Sequence, residues 1–267
     1  MNFSVFMYAL LIILTAWGGY LAKSLSKSGA IATVLIGFAV AVGFGLKGLL
    51  LLGIFFLSSS FWSKFKSSQK KHVEEKLEKG DSRDWTQVFA NGGVAGAVSF
   101  IYYFYPSDIF LMMFLAAIAS ANSDTWASEI GVLSRRQPVY ILSLRTVDKG
   151  TSGAVSLLGS IAAILAALLI GISSIIFFDL TISWLILVTI FGFLGNLFDT
   201  VLGALYQAKY KCNACGIETE KQLHCGRPTM LIKGTKLLNN DLVNALSIFL
   251  ASLLAAAVYM MLKNYSF

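Results

Sequence analysis

Two stretches of this sequence set carboxylates inside long apolar runs. In residues 122–131 (N-S-D-T-W-A-S-E-I-G), Asp124 closes an apolar run that begins near Ile109. On a helix Ser120, Asp124, Ser128 and Gly131 share one face. Farther on, Gly192, Gly195, Asn196, Asp199, Gly203 and Gln207 form a stripe of small and polar residues at the same spacing. A carboxylate inside a bilayer costs roughly 2.5–3.5 kcal/mol on insertion scales, so each Asp is read as a functional group ahead of a packing device. Asn240, Asn244 and Ser247, with Asp241 beside them, open another apolar run, and Asn91 lies in a further one. Carboxylates, carboxamides and hydroxyls with no histidine nearby suit a hard cation such as Mg²⁺, which shares its coordination with water and substrate phosphates.

Basic and glycine-rich segments flank these motifs: Lys64, Lys66 and Arg83; Arg135, Arg136 and Arg145; and K-G-T-S-G from Lys149 to Gly153. The last is expected to open a helix, where unpaired N–H groups and the helix dipole attract phosphate. Its Lys precedes the Gly-Thr, so it is no Walker A motif, and an ordinary glycine turn is the competing reading. An acidic centre ringed by basic loops on one membrane face is what phosphoryl transfer requires.

The elements that must position these groups are membrane helices. Of 267 residues, 57% are hydrophobic and 13% charged, against about 25% charged in soluble domains. We expect an all-α, polytopic integral membrane protein, a single transmembrane domain over 1–267. Eight apolar segments can be drawn, at about 3–22, 30–44, 46–62, 88–104, 108–130, 152–178, 182–206 and 240–262. The second and third are short enough to form a re-entrant pair instead. No basic region precedes the first run and no cleavage site follows it, so it reads as a retained helix. Lys and Arg crowd every second gap, and only Lys47 and Lys263 fall in the others. The positive-inside rule then puts both termini outside and the 63–86 and 207–239 loops in the cytoplasm. Asp124, Asp199, Asn91 and the 239–244 segment fall toward that same face. The net charge of +7 is accounted for by topology and anionic lipid, without nucleic acid.

The 207–239 loop carries all three cysteines, as Cys212-x-x-Cys215 and His224-Cys225. Cytoplasmic thiols stay reduced, so the competing readings are free thiols and a Zn²⁺ knuckle with three sulfurs and one nitrogen, the adjacency of His224 and Cys225 straining the second. His72 is read as part of a solvated charged loop. Trp126 is read as packing, with stacking on a nucleotide base the rival.

The stretches R-D-W-T-Q-V-F-A-N-G-G, N-S-D-T-W-A-S-E-I-G, D-K-G-T-S-G-A-V-S-L-L-G, G-N-L-F-D-T-V-L-G-A-L-Y-Q and L-N-N-D-L-V-N resemble, over nearly the whole chain, the TMEM19 / DUF92 family of membrane proteins, to which a plant phytyl-phosphate kinase belongs. The D-T-W-A-S-x-x-G and K-G-T-S-G elements are more distantly similar to CTP-dependent phytol and dolichol kinases and CDP-diacylglycerol synthases. The resemblance implies Mg²⁺-dependent conversion of an isoprenoid monophosphate to the diphosphate by a nucleoside triphosphate, CTP favoured over ATP; the expected location is a bacterial cytoplasmic membrane. Asp124, Asp199 and Lys149 would form the catalytic set, with Asp124, Asp199 and Asp241 on the metal. Lys27, Arg83, Arg145, Gly150, Thr151 and Gly153 would hold phosphates, and Asn91, Asn122, Ser128, Asn196, Asn240 and Asn244 would orient ligands. The alternatives are cytidylyl transfer to a lipid phosphate and a transporter. Clustering of the motifs at one face argues against the transporter.

Overall fold

The computed structural model describes residues 3–80 and 82–265, apart from the side chains of Phe3, Lys71, His72, Glu74 and Tyr265. Among the described residues the helices are α1 (Phe3–Leu21), α2 (Lys27–Lys64), α3 (Ser67–Glu74), α4 (Trp85–Phe104), α5 (Asp108–Gly131), α6 (Leu157–Phe178), α7 (Ile182–Tyr206) and α8 (Asn240–Tyr265). Six of them, α1, α2, α5, α6, α7 and α8, are long and apolar enough to cross a membrane. The helical, membrane-embedded class therefore stands. In α4, Thr86, Gln87 and Asn91 dilute the apolar content, and Gly92 and Gly96 let Ile36 of α2 pack close.

The second and third apolar segments form one element, α2, broken at Gly45, whose φ of 57° and ψ of −143° leave the helical region. A positive φ of this kind is cheap only for glycine. The two halves fold back on each other. Lys64 at the end of α2 donates to the Ala22 carbonyl just ahead of its start, and Arg83 bonds both Ser26 and Ser60. Lys47, past the break, meets Asp179 between α6 and α7 at 3.3 Å. Each half, about 27 Å long at 1.5 Å per residue, thus runs the length of the bundle. The re-entrant alternative is not what forms.

Helix α5 is the axis. In its apolar window 72% of residues are buried, against 17% for α1. From Leu111 to Ser123 it is buried on every side, and its small residues Ala116, Ala117, Ala119, Ser120 and Ala121 let α2, α4, α6, α7 and α8 pack closely around it. Large side chains such as Leu14, Leu35, Phe100, Ile161, Ile186 and Leu253 face outward, as lipid-facing surfaces do.

The two ends of the bundle differ. One carries the Lys47–Asp179 pair and the Lys263–Asp108 pair (3.0 Å). The other gathers Lys64, Lys70, Lys79, Arg83, the turn between α5 and α6, and the segment between α7 and α8. Residues 63–86, expected as a loop, contain α3, anchored by Lys70 on Glu129 (2.6 Å). His72 belongs to that helix, and its side chain lies outside the described ones. The 207–239 segment is a small β cap in which β3 (Lys209–Lys211) pairs with β4 (Glu218–Thr219) and β7 (Met230–Lys233), while β5 (Leu223–His224) pairs with β6 (Arg227–Pro228). Between α5 and α6, β1 (Val139–Tyr140) pairs with β2 (Ala154–Val155). That pairing corrects the expected start of the sixth helix. Ser156 caps α6 by accepting from Gly159 N at 3.1 Å, so the K-G-T-S-G loop lies upstream of the helix N-terminus and not on it.

Candidate functional site

The site is assembled where α5 touches α7. A Cβ added at Gly195 would lie 1.7 Å from Ser120 Oγ, so only glycine allows this approach. One turn farther along both helices stand Asp124 and Asp199, within electrostatic reach of each other. Helix α8 completes the arrangement. The Asn244 amide, oriented to satisfy its neighbours, donates to Asp199 Oδ2 at 2.7 Å and to the Asn240 carbonyl at 3.0 Å. Ser247 Oγ donates to the same carboxylate at 3.4 Å. Ser128, a turn beyond Asp124 on the same face, is exposed, and Asp124 and Asp199 are each partly exposed.

No basic side chain pairs with Asp124 or Asp199 among the described residues. Two neighbouring carboxylates in a low-dielectric setting disfavour joint ionisation unless a cation or a proton intervenes. Directly beneath, the fully buried Ser120 Oγ has no hydrogen-bond partner. Two carboxylates and an orphan hydroxyl form an all-oxygen donor set, which fits Mg²⁺.

Asp241, the third metal candidate, is placed otherwise. It accepts from Lys79 and lies 2.7 Å from Thr86 Oγ1. Lys79 also reaches Asp84 at 3.0 Å, and Asp84 caps α4 in a capping box with Gln87. Lys79 thereby ties the N-termini of α4 and α8 together, and Asp241 serves that clamp. Beside it, Glu220 accepts from Gln207 Nε2 at 2.8 Å, and Gln207 Oε1 accepts from Ser152 Oγ at 2.8 Å. Burial pushes the Glu220 carboxyl up to about 7. Its charge also acts on Asp199.

The other expected site residues divide. Asn240 lies with Asn244 at the start of α8, and Asn196 is buried on α7 one turn from Asp199, its carbonyl accepting from Thr200 at 2.9 Å. Asn122 is elsewhere: it accepts from Ser58 Oγ at 3.1 Å and donates to the Ala166 carbonyl at 3.0 Å, joining α5 to α2 and α6. Two residues from Asp124 along a helix is about 200° of rotation, which turns Asn122 away from the carboxylate pair. Trp126 donates to Ser58 at 3.3 Å and stacks edge-on against Trp62, which is packing. Lys149 Nζ is spent on the Ser134 carbonyl at 2.6 Å, and Arg145 and Lys27 are exposed. In the 150–153 turn, Gly150 abuts Val73 and Gly153 abuts Ala204, with Thr151 N–H donating to the Asp148 carbonyl. That turn is thus seated on the end of α7.

Arg83 and Asn91 lead to a second feature. A cavity of about 280 Å³ runs between α1, both halves of α2 and α4, lined by side chains such as Leu11, Ile36, Leu52 and Phe56. Its polar groups include Arg83, Gln87 and Asn91 from the start of α4. Arg83 Nη1 donates to Ser60 Oγ at 3.2 Å and makes no ion pair among the described residues. Burial lowers its guanidinium from the ordinary range, and the charge of Glu129 opposes that.

The sequence does not single out Glu220, Lys79 or Thr86, and it points to Ser247 without giving it a role. Ser247 did carry a signal, since it shares a face with Asn240 and Asn244. Lys79 and Glu220 lie in polar segments without a motif.

The family model described as "Integral membrane protein DUF92" matches residues 10–252. Protein PGR of Arabidopsis thaliana is 32% identical, over 92% of this chain and 93% of its own. The uncharacterized membrane protein MJ0933 of Methanocaldococcus jannaschii is 33% identical over 70% of this chain and 76% of its own. Protein VTE6, chloroplastic, of Arabidopsis thaliana is 26% identical over 92% of this chain and 68% of its own. No solved structure matches significantly.

Proposed function

The chain belongs to the DUF92 family of integral membrane proteins, and from that premise we propose that it transfers the γ-phosphate of a nucleoside triphosphate, CTP favoured, to an isoprenoid monophosphate at the cytoplasmic face. The observation that carries this reading is the Asp124–Asp199 pair, partly exposed and without a basic partner among the described residues. Mg²⁺ held there by Asp124 and Asp199, with Ser120 beneath, would neutralise charge on the nucleotide's β- and γ-phosphates. Asn244 and Ser247 both hold Oδ2 of the Asp199 carboxylate.

An acceptor that is already a phosphate ester attacks Pγ through its own oxygen. The bond from Pγ to the β–γ bridging oxygen breaks and the nucleoside diphosphate leaves, with no proton to remove. That chemistry suits a carboxylate pair that no histidine contacts among the described residues. The apolar cavity beside α4 offers the tail a place out of water, and Arg83 offers the acceptor phosphate a cation that is not already neutralised.

The test is chromatographic. Purified protein in lipid nanodiscs, given Mg²⁺, CTP and geranylgeranyl monophosphate, is expected to form the diphosphate, and Asp199→Asn is expected to form none. Absence of diphosphate with both CTP and ATP would remove the proposal.

A further inference from the structure

The β cap between α7 and α8 brings four soft donors to one point. The ligand atoms of Cys212, Cys215, His224 and Cys225 all lie within 4.8 Å of one another. The His224 Nδ1 atom is 3.4 Å from Cys215 Sγ and 3.3 Å from Cys225 Sγ. In a tetrahedral zinc site with Zn–S near 2.3 Å and Zn–N near 2.0–2.1 Å, the S···N edge is about 3.5 Å and the S···S edge about 3.8 Å. The donors therefore stand close to the spacing that the ion would impose.

Two turns produce this convergence. In the first, Gly216 N–H donates to the Cys212 carbonyl at 2.8 Å and Cys212 N–H to the Ile217 carbonyl at 3.0 Å, curling Cys212 and Cys215 toward one side. In the second, β5 and β6 are joined by Cys225 and Gly226 alone, both at positive φ (53° and 69°). A two-residue hairpin of this kind prefers Asn-Gly or Gly-Gly. A cysteine at its first position is strained, and the strain has a use: it turns the Cys225 thiol to the same side as the His224 ring. Adjacency of His224 and Cys225, an obstacle on paper, is resolved by the left-handed turn between them.

We propose that Cys212, Cys215, Cys225 and His224 Nδ1 bind one Zn²⁺ as a closed, structural S₃N site. Four protein ligands leave no position for water or substrate, so the ion clips the fold and takes no part in phosphoryl transfer. What it clips is evident from the neighbouring contacts. Thr219 Oγ1 and Glu220 N–H both donate to the Lys76 carbonyl, at 2.8 and 2.9 Å, and Glu220 holds Gln207 at the end of α7. The ion thus steadies the cap that joins α7 to the segment after α3.

Elemental analysis of the full-length protein, purified in detergent and washed with a mild chelator, is expected to give about one zinc per chain. Growth with cobalt in place of zinc should yield thiolate-to-metal charge-transfer bands and the intense d–d bands of a tetrahedral site. Cys215→Ser should lose the metal and His224→Cys should keep it. Should the variants fail to fold, a mercurial titration of the wild type decides: zinc should be released in step with modification of three thiols. No bound metal, one equivalent of iron in its place, or a mass showing a disulfide between these cysteines would overturn the proposal.

Discussion

Asn244 of α8 donates to the Asp199 carboxylate of α7 at 2.7 Å, and Asp199 lies within electrostatic reach of Asp124 on α5. Helices α7 and α8 are therefore joined through a carboxylate that has no basic partner among the described residues. A packing device would have recruited one, because a lone carboxylate in this setting is costly. The proposed phosphoryl transfer assigns a cation to that place.

Asp124→Asn should lower turnover by about 100-fold or more, the scale seen when a transition-state charge loses its stabiliser. Its thermal midpoint without metal should be unchanged or higher, since a like-charge contact is relieved. Mg²⁺ should raise the midpoint of the wild type by mass action, and of the variant far less. Thermal melts with and without Mg²⁺, beside an activity assay, check all three. A variant that is fully active, or a wild type blind to Mg²⁺, would contradict the assignment.

Gly195→Ala should push α5 away from α7, because the new Cβ would lie 1.7 Å from Ser120 Oγ. Overpacking of this kind costs about 1–3 kcal/mol. Activity should fall along with stability, since Asp124 and Asp199 lie one turn beyond the contact. Pairing the change with Ser120→Gly, which vacates the space, should recover much of the stability in a detergent melt.

Much of this site can be read from the sequence, because a carboxylate inside an apolar run announces itself. Asp124, Asp199 and the Asn240–Asn244 face come together as their helical spacing suggests, and Gly45 falls where the drawn gap between two apolar segments lies. Other parts are invisible to local pattern. Asn122 shares a motif with Asp124 but points toward α2 and α6. Lys79 and Glu220 come from polar segments and meet Asp241 and Gln207, respectively, only through tertiary packing. The K-G-T-S-G turn reads as a helix start, yet β2 intervenes and Ser156 takes the cap. Helix α3 has no apolar stripe to betray it, and its anchor is the Lys70–Glu129 pair.

If the cavity beside α4 holds the isoprenoid tail, filling it should discriminate by tail length. Gly53 lines that cavity, and a Cβ there would meet nothing within 4 Å. Gly53→Leu should therefore fold normally and raise KM for a long-tailed acceptor several-fold more than for a short one. Arg83→Ala should raise KM for every acceptor and leave KM for the nucleotide near its original value. Steady-state kinetics with acceptors of graded length tests both; equal effects on all lengths would place the tail elsewhere.

The cap should loosen with alkali. Burial raises the folded Glu220 carboxyl to about 7 from an ordinary value of 4.5, so the folded state holds a proton that the unfolded state releases. This contribution to stability is fully present below about pH 4.5 and is lost as pH rises through about 7. Protease cleavage within 207–239 should increase over that window, and Glu220→Gln should remove the rise. A pH-independent cleavage rate in the wild type would contradict it.

The most direct test of phosphoryl transfer is the fate of label. Purified protein is incubated with Mg²⁺, geranylgeranyl monophosphate and CTP labelled either at the γ-phosphate or in the base, and the lipid product is extracted. The account predicts γ-label in the lipid and base label left in the aqueous phase as CDP. Base label in the lipid would mean cytidylyl transfer, and would contradict the kinase reading outright.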